Sequence, residues 1–236
     1  MIQIKNYYKT YDGKNYIIED LNLVVEKGDM FGFIGHNGAG KTTTIKSIVG
    51  VLDFEKGDIL VNGISIKDEP IKCKQNISYV PDNPDIYDNL TGLQYLYFMC
   101  DVFKVEVKNR LSLIEKYCKE LELEGVLNDL ISSYSHGMKQ KLVLIGALIH
   151  NPKVLVLDEP FVGLDPKASF NLKKIMKEFC DKGGSIFFST HVLEVAQKIC
   201  NKIAIIKDGK IIVQGDVDNL TKTQSLEDIF MEQAND

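Results

Sequence analysis

The sequence predicts an α/β fold built on a parallel sheet, and three observations carry that expectation. The apolar runs at 31–34, 154–157 and 186–188 are short and lack alternation, which is the pattern of strands buried on both faces. The first run leads directly into Gly35-His36-Asn37-Gly38-Ala39-Gly40-Lys41-Thr42, which fits the G-x-x-x-x-G-K-[ST] loop that joins a strand to a helix. The other two end in polar residues, Asp158-Glu159 and Ser189-Thr190-His191, and open α/β sheets bind their ligands at the carboxyl ends of strands. Three strands therefore deliver polar chemistry to one edge.

Upstream of the loop, apolar and polar residues alternate around turn signals at Asp12-Gly13 and Lys27-Gly28-Asp29, which predicts antiparallel strands leading into it. The loop must turn its backbone N–H groups inward on an anion, and Gly35, Gly38 and Gly40 supply the dihedral freedom for that. Lys41, expected to face solvent, adds a point charge for β- and γ-phosphates, and Thr42 a hydroxyl for Mg²⁺. The helix from Thr42 towards Gly50 would aim its positive end at the same anion. Residues 82–150 read as mostly helical, with Val107, Leu111, Ile114, Cys118 and Leu121 forming a core stripe. A helix after Ser135-His136-Gly137 runs through Leu142 and Ile145 and stops before Asn151-Pro152, because proline excludes helix at the residue before it. Asp208-Gly209, between 203–206 and 210–213, is a hairpin signal. The tail, 216–236, is polar with one apolar patch.

A chain of 236 residues with 44% hydrophobic content can bury a core and carry an inserted lobe. Its 28 Lys plus Arg against 33 Asp plus Glu give a net charge of -5, so no general electrostatic attraction to nucleic acid is expected. The longest uncharged apolar run, 142–149, is far short of the roughly 20 residues of a membrane-spanning helix. The start lacks the charged-then-apolar pattern of a secretory signal, which leaves the cytoplasm as the expected compartment. Cys73, Cys100, Cys118, Cys180 and Cys200 are odd in number and widely spaced, so they read as buried thiols rather than a disulfide framework or a metal site.

The run 154–159 looks like a Walker B strand, whose first carboxylate, Asp158, holds Mg²⁺ and whose second, Glu159, polarises the attacking water. Adjacent carboxylates at a strand end repel each other and call for a cation nearby. With these motifs the chain resembles the nucleotide-binding subunit of ATP-binding cassette transporters, from Tyr11 to the hairpin near Gly209. Tyr134-Ser135-His136-Gly137-Met138 matches the position of that family's signature loop, usually L-S-G-G-Q, and the Walker B strand follows at the family's spacing.

That resemblance implies a P-loop NTPase fold: a RecA-like parallel core plus a small antiparallel sheet, with an inserted helical subdomain. One ATPase domain would span 1–236, with core 1–81 and 151–215, helical subdomain 82–150 and C-terminal tail 216–236. The implied cofactors are ATP and Mg²⁺. The nucleotide would be held by Gly35, Asn37, Gly38, Ala39, Gly40, Lys41, Thr42 and Thr43, and Tyr11 would stack on adenine, with Tyr7, Tyr8 and Tyr16 close by in sequence. Glu159 and His191, the latter resembling the family's switch histidine, would be catalytic, and Thr42 and Asp158 would ligate Mg²⁺. Ser135, His136, Gly137 and Met138 would act in trans on a second subunit's ATP, and Asp165 of Gly163-Leu164-Asp165 would lie in the D-loop between subunits. Asp82 stands where the family usually has glutamine; it is shorter by a methylene and charged. Its implied roles are to link the nucleotide to the transport partner and to contact Mg²⁺.

The resemblance further implies integral membrane permease subunits as partners, docked on the aromatic-rich stretch 85–103, and pairing with a second copy or a homologous ATPase. The location would be cytoplasmic, peripheral on the inner face of the cell membrane. His136 and Met138 in the signature, preceded by a tyrosine, resemble the exporter branch whose membrane partner has six spans per subunit; a metal or vitamin importer stays open. A translation factor of the same superfamily would carry two cassettes, and one phosphate loop is present. A repair ATPase would insert a long coiled coil, yet 117 positions separate Lys41 from Asp158. A kinase would not need Ser135-His136-Gly137 ahead of Walker B.

Overall fold

A computed structural model describes residues 1–234; the last two residues of the 216–236 tail lie outside the described residues. In chain order the elements are β1 (Ile2–Thr10), β2 (Tyr16–Val25), β3 (Met30–Ile34), α1 (Lys41–Ile48), β4 (Lys56–Val61), β5 (Ile64–Ser65), α2 (Pro70–Asn76) and β6 (Ile77–Val80). There follow α3 (Gly92–Val102), α4 (Val107–Leu121), α5 (His136–Leu148), β7 (Val154–Leu157), α6 (Pro166–Asp181), β8 (Ser185–Thr190) and α7 (Leu193–Ile199). The chain then continues through β9 (Lys202–Lys207), β10 (Lys210–Asp216), α8 (Val217–Leu220) and α9 (Leu226–Ala234).

Two sheets form. One runs β2-β1-β4-β5 and is antiparallel; the other runs β10-β9-β3-β8-β7-β6 and is parallel apart from its β9–β10 edge hairpin. The turn at Asp12-Gly13 sits between β1 and β2 as expected, while the one at Lys27-Gly28-Asp29 carries the chain out of the first sheet and into the centre of the second. Asp208 and Gly209 both take positive φ, 47° and 77°, closing the predicted hairpin.

The central strands carry apolar runs because both of their faces are covered. Phe31 and Phe33 of β3, Val154 and Val156 of β7, and Phe187 of β8 face a core shared with β1, β2 and α1. Met30 and Ile34, Leu155 and Leu157, and Ile186 and Phe188 face the opposite way, into a core shared with α3, α5 and α6. The period-2 geometry of a strand thus sorts one continuous apolar run into two cores. Four of the five cysteines are buried and all are free thiols.

α5 is capped at its start by Ser135, whose Oγ accepts from the Met138 N–H at 3.2 Å, and it ends ahead of Pro152. The predicted stripe on α4 holds only in part. Ile114, Cys118 and Leu121 are buried, but Val107 and Leu111 are 79% and 54% exposed, because the core covers only the C-terminal half of that helix. The tail folds back on the body: Leu226 is buried and its N–H donates to Gln197 Oε1 of α7 at 3.1 Å.

Candidate functional site

β3, β8 and β7 lie side by side in the sheet, so their carboxyl ends bring the loop 35–42, the segment 189–191 and the carboxylates 158–159 to one edge. A cleft of about 380 Å³ opens there, lined by Tyr11, Ile17, Asn37, Gly38, Gly40, Lys41, Thr42, Thr43, Asp82 and Glu159. Tyr11 is 66% exposed at its rim, and its hydroxyl lies 3.2 Å from Thr43 Oγ1. Of the four candidate tyrosines it is Tyr11 that lines the cleft; Tyr7 is buried and hydrogen-bonds Ser47 at 2.9 Å.

The glycines act for different reasons. Gly38 and Gly40 have φ of 87° and 108°, which β-carbons resist. Gly35 does not adopt a positive φ. It is glycine because a Cβ there would come 2.5 Å from Ile206 O, so the expectation of unusual dihedrals at all three is corrected to two, with close packing at the third. Ala39 is buried beneath the loop, and its carbonyl accepts from Gly209 N–H at 3.1 Å.

Lys41 does not face solvent as expected. It is 6% exposed, and its Nζ donates to Gly35 O at 2.7 Å and His36 O at 3.2 Å, with Glu159 Oε1 3.5 Å away. The loop's own carbonyls fold over the ammonium, whose burial would be costly without such partners.

Asp158 is fully buried. Its Oδ1 accepts a short hydrogen bond from Ser189 Oγ, while its Oδ2 is buried without any hydrogen-bond partner. Burial pushes its carboxyl above the ordinary carboxylate range; the Ser189 and Thr42 hydroxyls act against this, and the charges of Asp82 and Glu159 add to it. Glu159 adopts a left-handed φ of 46°, its N–H donates to Ser189 Oγ at 2.9 Å, and its Oε2 lies 3.1 Å from His191 Nδ1. Among the described residues no cluster of three or more His, Cys, Asp or Glu could enclose a metal. An orphaned carboxylate oxygen beside a threonine hydroxyl instead suits a hard cation that keeps water and phosphate oxygens as its other ligands, as Mg²⁺ does. Asp82 is exposed at the cleft wall, its Oδ1 accepting from the Asn83 N–H at 2.8 Å.

The signature residues are held elsewhere. None of Ser135, His136, Gly137 and Met138 lines the cleft. His136 and Gly137 pack against Gly163 of the same chain: a Cβ on Gly137 would sit 2.7 Å from Gly163 O, and one on Gly163 would sit 2.6 Å from the His136 ring. Lys141 Nζ reaches Asp165 Oδ2 at 3.1 Å, and Asp165 Oδ1 caps α6 through the Ala168 N–H at 2.8 Å. Thus Ser135, His136, Gly137, Met138 and Asp165 form one surface, apart from Lys41, Asp158, Glu159 and His191. Ser189, legible in the sequence only as one of the polar residues that follow the apolar run 186–188, is brought by β8 into contact with both Asp158 and Glu159, which no motif announced.

A model of the ABC transporter family matches residues 18–162. The uncharacterised ABC transporter ATP-binding protein YhcH of Bacillus subtilis is 38% identical over 216 residues, covering 90% of this chain and 68% of its own length. The SkfA peptide export ATP-binding protein SkfE of the same organism is 35% identical over 218 residues, covering 90% of this chain and 87% of its own. A solved ATP-binding subunit of an ABC transporter superposes with a TM-score of 0.95 at 31% identity, covering 99% of both chains. A phosphate loop on a parallel sheet, paired carboxylates at the end of β7 in the same sheet and a family match over more than half of the sequence converge on one answer: the chain belongs to the ABC transporter family, as an ATP-binding subunit with a P-loop ATPase fold.

Proposed function

We propose that this chain drives export through separate membrane subunits by closing on a second ATPase subunit around ATP. It is read as one domain, with core 1–81 and 151–215, helical subdomain 82–150 and tail 216–236. The observation that carries the catalytic reading is Glu159, a carboxylate held between Lys41 Nζ at 3.5 Å and His191 Nδ1 at 3.1 Å at the edge of the cleft. Lys41 exchanges its loop carbonyls for β- and γ-phosphate oxygens, while Gly35, Asn37, Gly38, Ala39, Gly40 and Thr43 wrap the phosphates and Tyr11 stacks on the base. Asp158 Oδ2 and the Thr42 hydroxyl would hold Mg²⁺, with Asp82 as a further oxygen donor. When bound, that ion neutralises charge developing on the phosphates. Glu159 accepts the proton of the attacking water, and His191 orients the carboxylate and faces the γ-phosphate.

Ser135 supports the two-subunit mechanism. Its Oγ already accepts from the Met138 N–H, which leaves its own hydrogen free to donate to a γ-phosphate presented by another subunit. Gly137 N–H, His136 and Met138 stand at the same helix start, whose positive end favours an anion. Asp165, tied to Lys141, places the D-loop on that surface.

Among the described residues no helix is long and apolar enough to cross a membrane, so the substrate path is assigned to permease subunits, with this chain peripheral on the inner face. The exposed Tyr87, Tyr97, Phe98 and Val102, with Tyr87 and Phe98 edge-to-face at 5.7 Å, supply an apolar docking face beside Asp82 in sequence. Export is favoured by the His136 and Met138 signature and by the likeness to SkfE. The test is transport in proteoliposomes carrying the chain with its membrane subunits, ATP being supplied on the side of this chain. Labelled cargo of those membrane subunits should move away from that side; movement towards it would reverse the export reading.

A further inference from the structure

We infer that Ser189 is a positioning residue for ATP hydrolysis, its single hydroxyl fixing both which oxygen of Asp158 is presented to the cation and the backbone conformation that aims Glu159. The inference rests on the roles proposed above for Asp158 and Glu159.

Ser189 is fully buried at the carboxyl end of β8, a strand buried along its whole length. A hydroxyl there is unfavourable unless its hydrogen bonds are made, and Ser189 makes two of opposite sense. Its O–H donates to Asp158 Oδ1, and its oxygen accepts from the Glu159 N–H at 2.9 Å. Because Oδ1 is taken, the carboxylate cannot turn without breaking that bond, and Oδ2 is the oxygen left free of partners. Because Glu159 has φ of 46°, a conformation that side-chain-bearing residues resist, its backbone needs an anchor. The Ser189 oxygen supplies one on the amide side, and the Val162 N–H, donating to Glu159 O at 3.1 Å, supplies the other. A small rotation of that turn would carry the Glu159 carboxylate away from Lys41 and His191 together, since both contacts come from one side chain. One buried hydroxyl thereby ties the Asp158 carboxylate and the Glu159 backbone, on the loop after β7, to the strand beside it.

The test compares Ser189→Thr with Ser189→Val. Both side chains are β-branched and suit a strand, so the methyl added to serine is common to the two variants and the hydroxyl is what distinguishes them. Two quantities are read: steady-state ATP hydrolysis, and binding of Mn²⁺ in the presence of ADP followed by electron paramagnetic resonance, which needs no turnover. The valine variant should lose ~10- to 100-fold in kcat relative to the threonine variant, with KM for ATP within about threefold, as expected for loss of hydrogen bonds made to a charged site. Its Mn²⁺ affinity should fall about tenfold against threonine, for the same reason. Equal kcat and equal Mn²⁺ affinity in the two variants would overturn the inference, as would a loss confined to KM. Glu159→Gln is the control on the underlying reading. If it hydrolyses ATP like the parent, the role of Glu159 is wrong and the inference falls with it; if it is inactive while Thr and Val behave alike, only Ser189 is misassigned.

Discussion

Replacing Lys41 by alanine should do two separable things, because the structure gives the side chain one set of protein partners and bound phosphates would give it another. The ammonium is 6% exposed and donates to Gly35 O at 2.7 Å and His36 O at 3.2 Å, with Glu159 Oε1 at 3.5 Å. A hydrogen bond from a charged donor contributes roughly 1.5–3 kcal/mol, and desolvation of the ammonium and water entering the open cleft offset part of two such bonds. A net loss of about 1–3 kcal/mol corresponds to a melting temperature lower by about 2–12 °C for a domain of this size. With ATP, loss of the lysine removes the only side-chain cation of the loop from the phosphates, and turnover should fall at least ~100-fold. The assays are thermal melting without nucleotide and phosphate release with Mg²⁺ and ATP. Alanine at 41 with parental turnover would refute the phosphate-loop assignment; an unchanged melting temperature would refute the stabilising role of the carbonyl contacts.

Two further outcomes follow from packing and burial. Gly137→Ala places a Cβ 2.7 Å from the backbone oxygen of Gly163, where ordinary contacts begin at 3.4 Å, so the helix start or the 163–165 segment must shift. Helix propensity alone would favour alanine by up to about 1 kcal/mol. The account therefore predicts ATP-driven association at least ~10-fold weaker by analytical ultracentrifugation, because the moved groups belong to the proposed interface, and unchanged association would show that they do not. His150 is stacked on Phe103 at 3.7 Å, and burial lowers its imidazole to about 4, with the Gly146 backbone acting weakly against this. The unfolded chain, at an ordinary value near 6.5, then binds more protons between those limits, so stability is full above pH 6.5 and falls as pH drops towards 4, by at most about 3 kcal/mol. His150→Leu should flatten that part of the melting-temperature profile; a parental slope would place the titration on other groups.

Much of this molecule was legible from residue order because strands buried on two faces show unbroken apolar runs, and β3, β7 and the 186–188 stretch of β8 announce themselves that way. The loop 35–42 was legible because a phosphate-wrapping backbone has few solutions in residue type. What escaped depends on neighbours remote in sequence. Gly35 is required by Ile206 O, a contact made only once β9 lies beside β3. Lys41 is buried by carbonyls of its own loop, and hydropathy assigns a lysine to solvent regardless of how the chain curls around it. Val107 and Leu111 keep the period of a core stripe although no partner covers them, since periodicity fixes the face of a helix and says nothing of how far its neighbours extend. The role of Ser189 follows from β7 and β8 being adjacent, a pairing between segments some thirty residues apart.

The central claim is that two subunits close around ATP and that Glu159 then releases them by hydrolysis. Glu159→Gln keeps the shape of the side chain and the phosphate contacts while removing the base. Each chain carries Lys41, Asp158, Glu159 and His191 on one surface and Ser135 and Gly137 on another, so two copies suffice to build two complete sites. The measurement is light scattering of the purified variant with and without Mg²⁺-free ATP, followed by a nucleotide count in the larger species. The account predicts an ATP-dependent dimer holding two ATP molecules and no phosphate release when Mg²⁺ is restored. A variant that stays monomeric with ATP and hydrolyses it at the parental rate would contradict both the role of Glu159 and the closing of two subunits around the nucleotide.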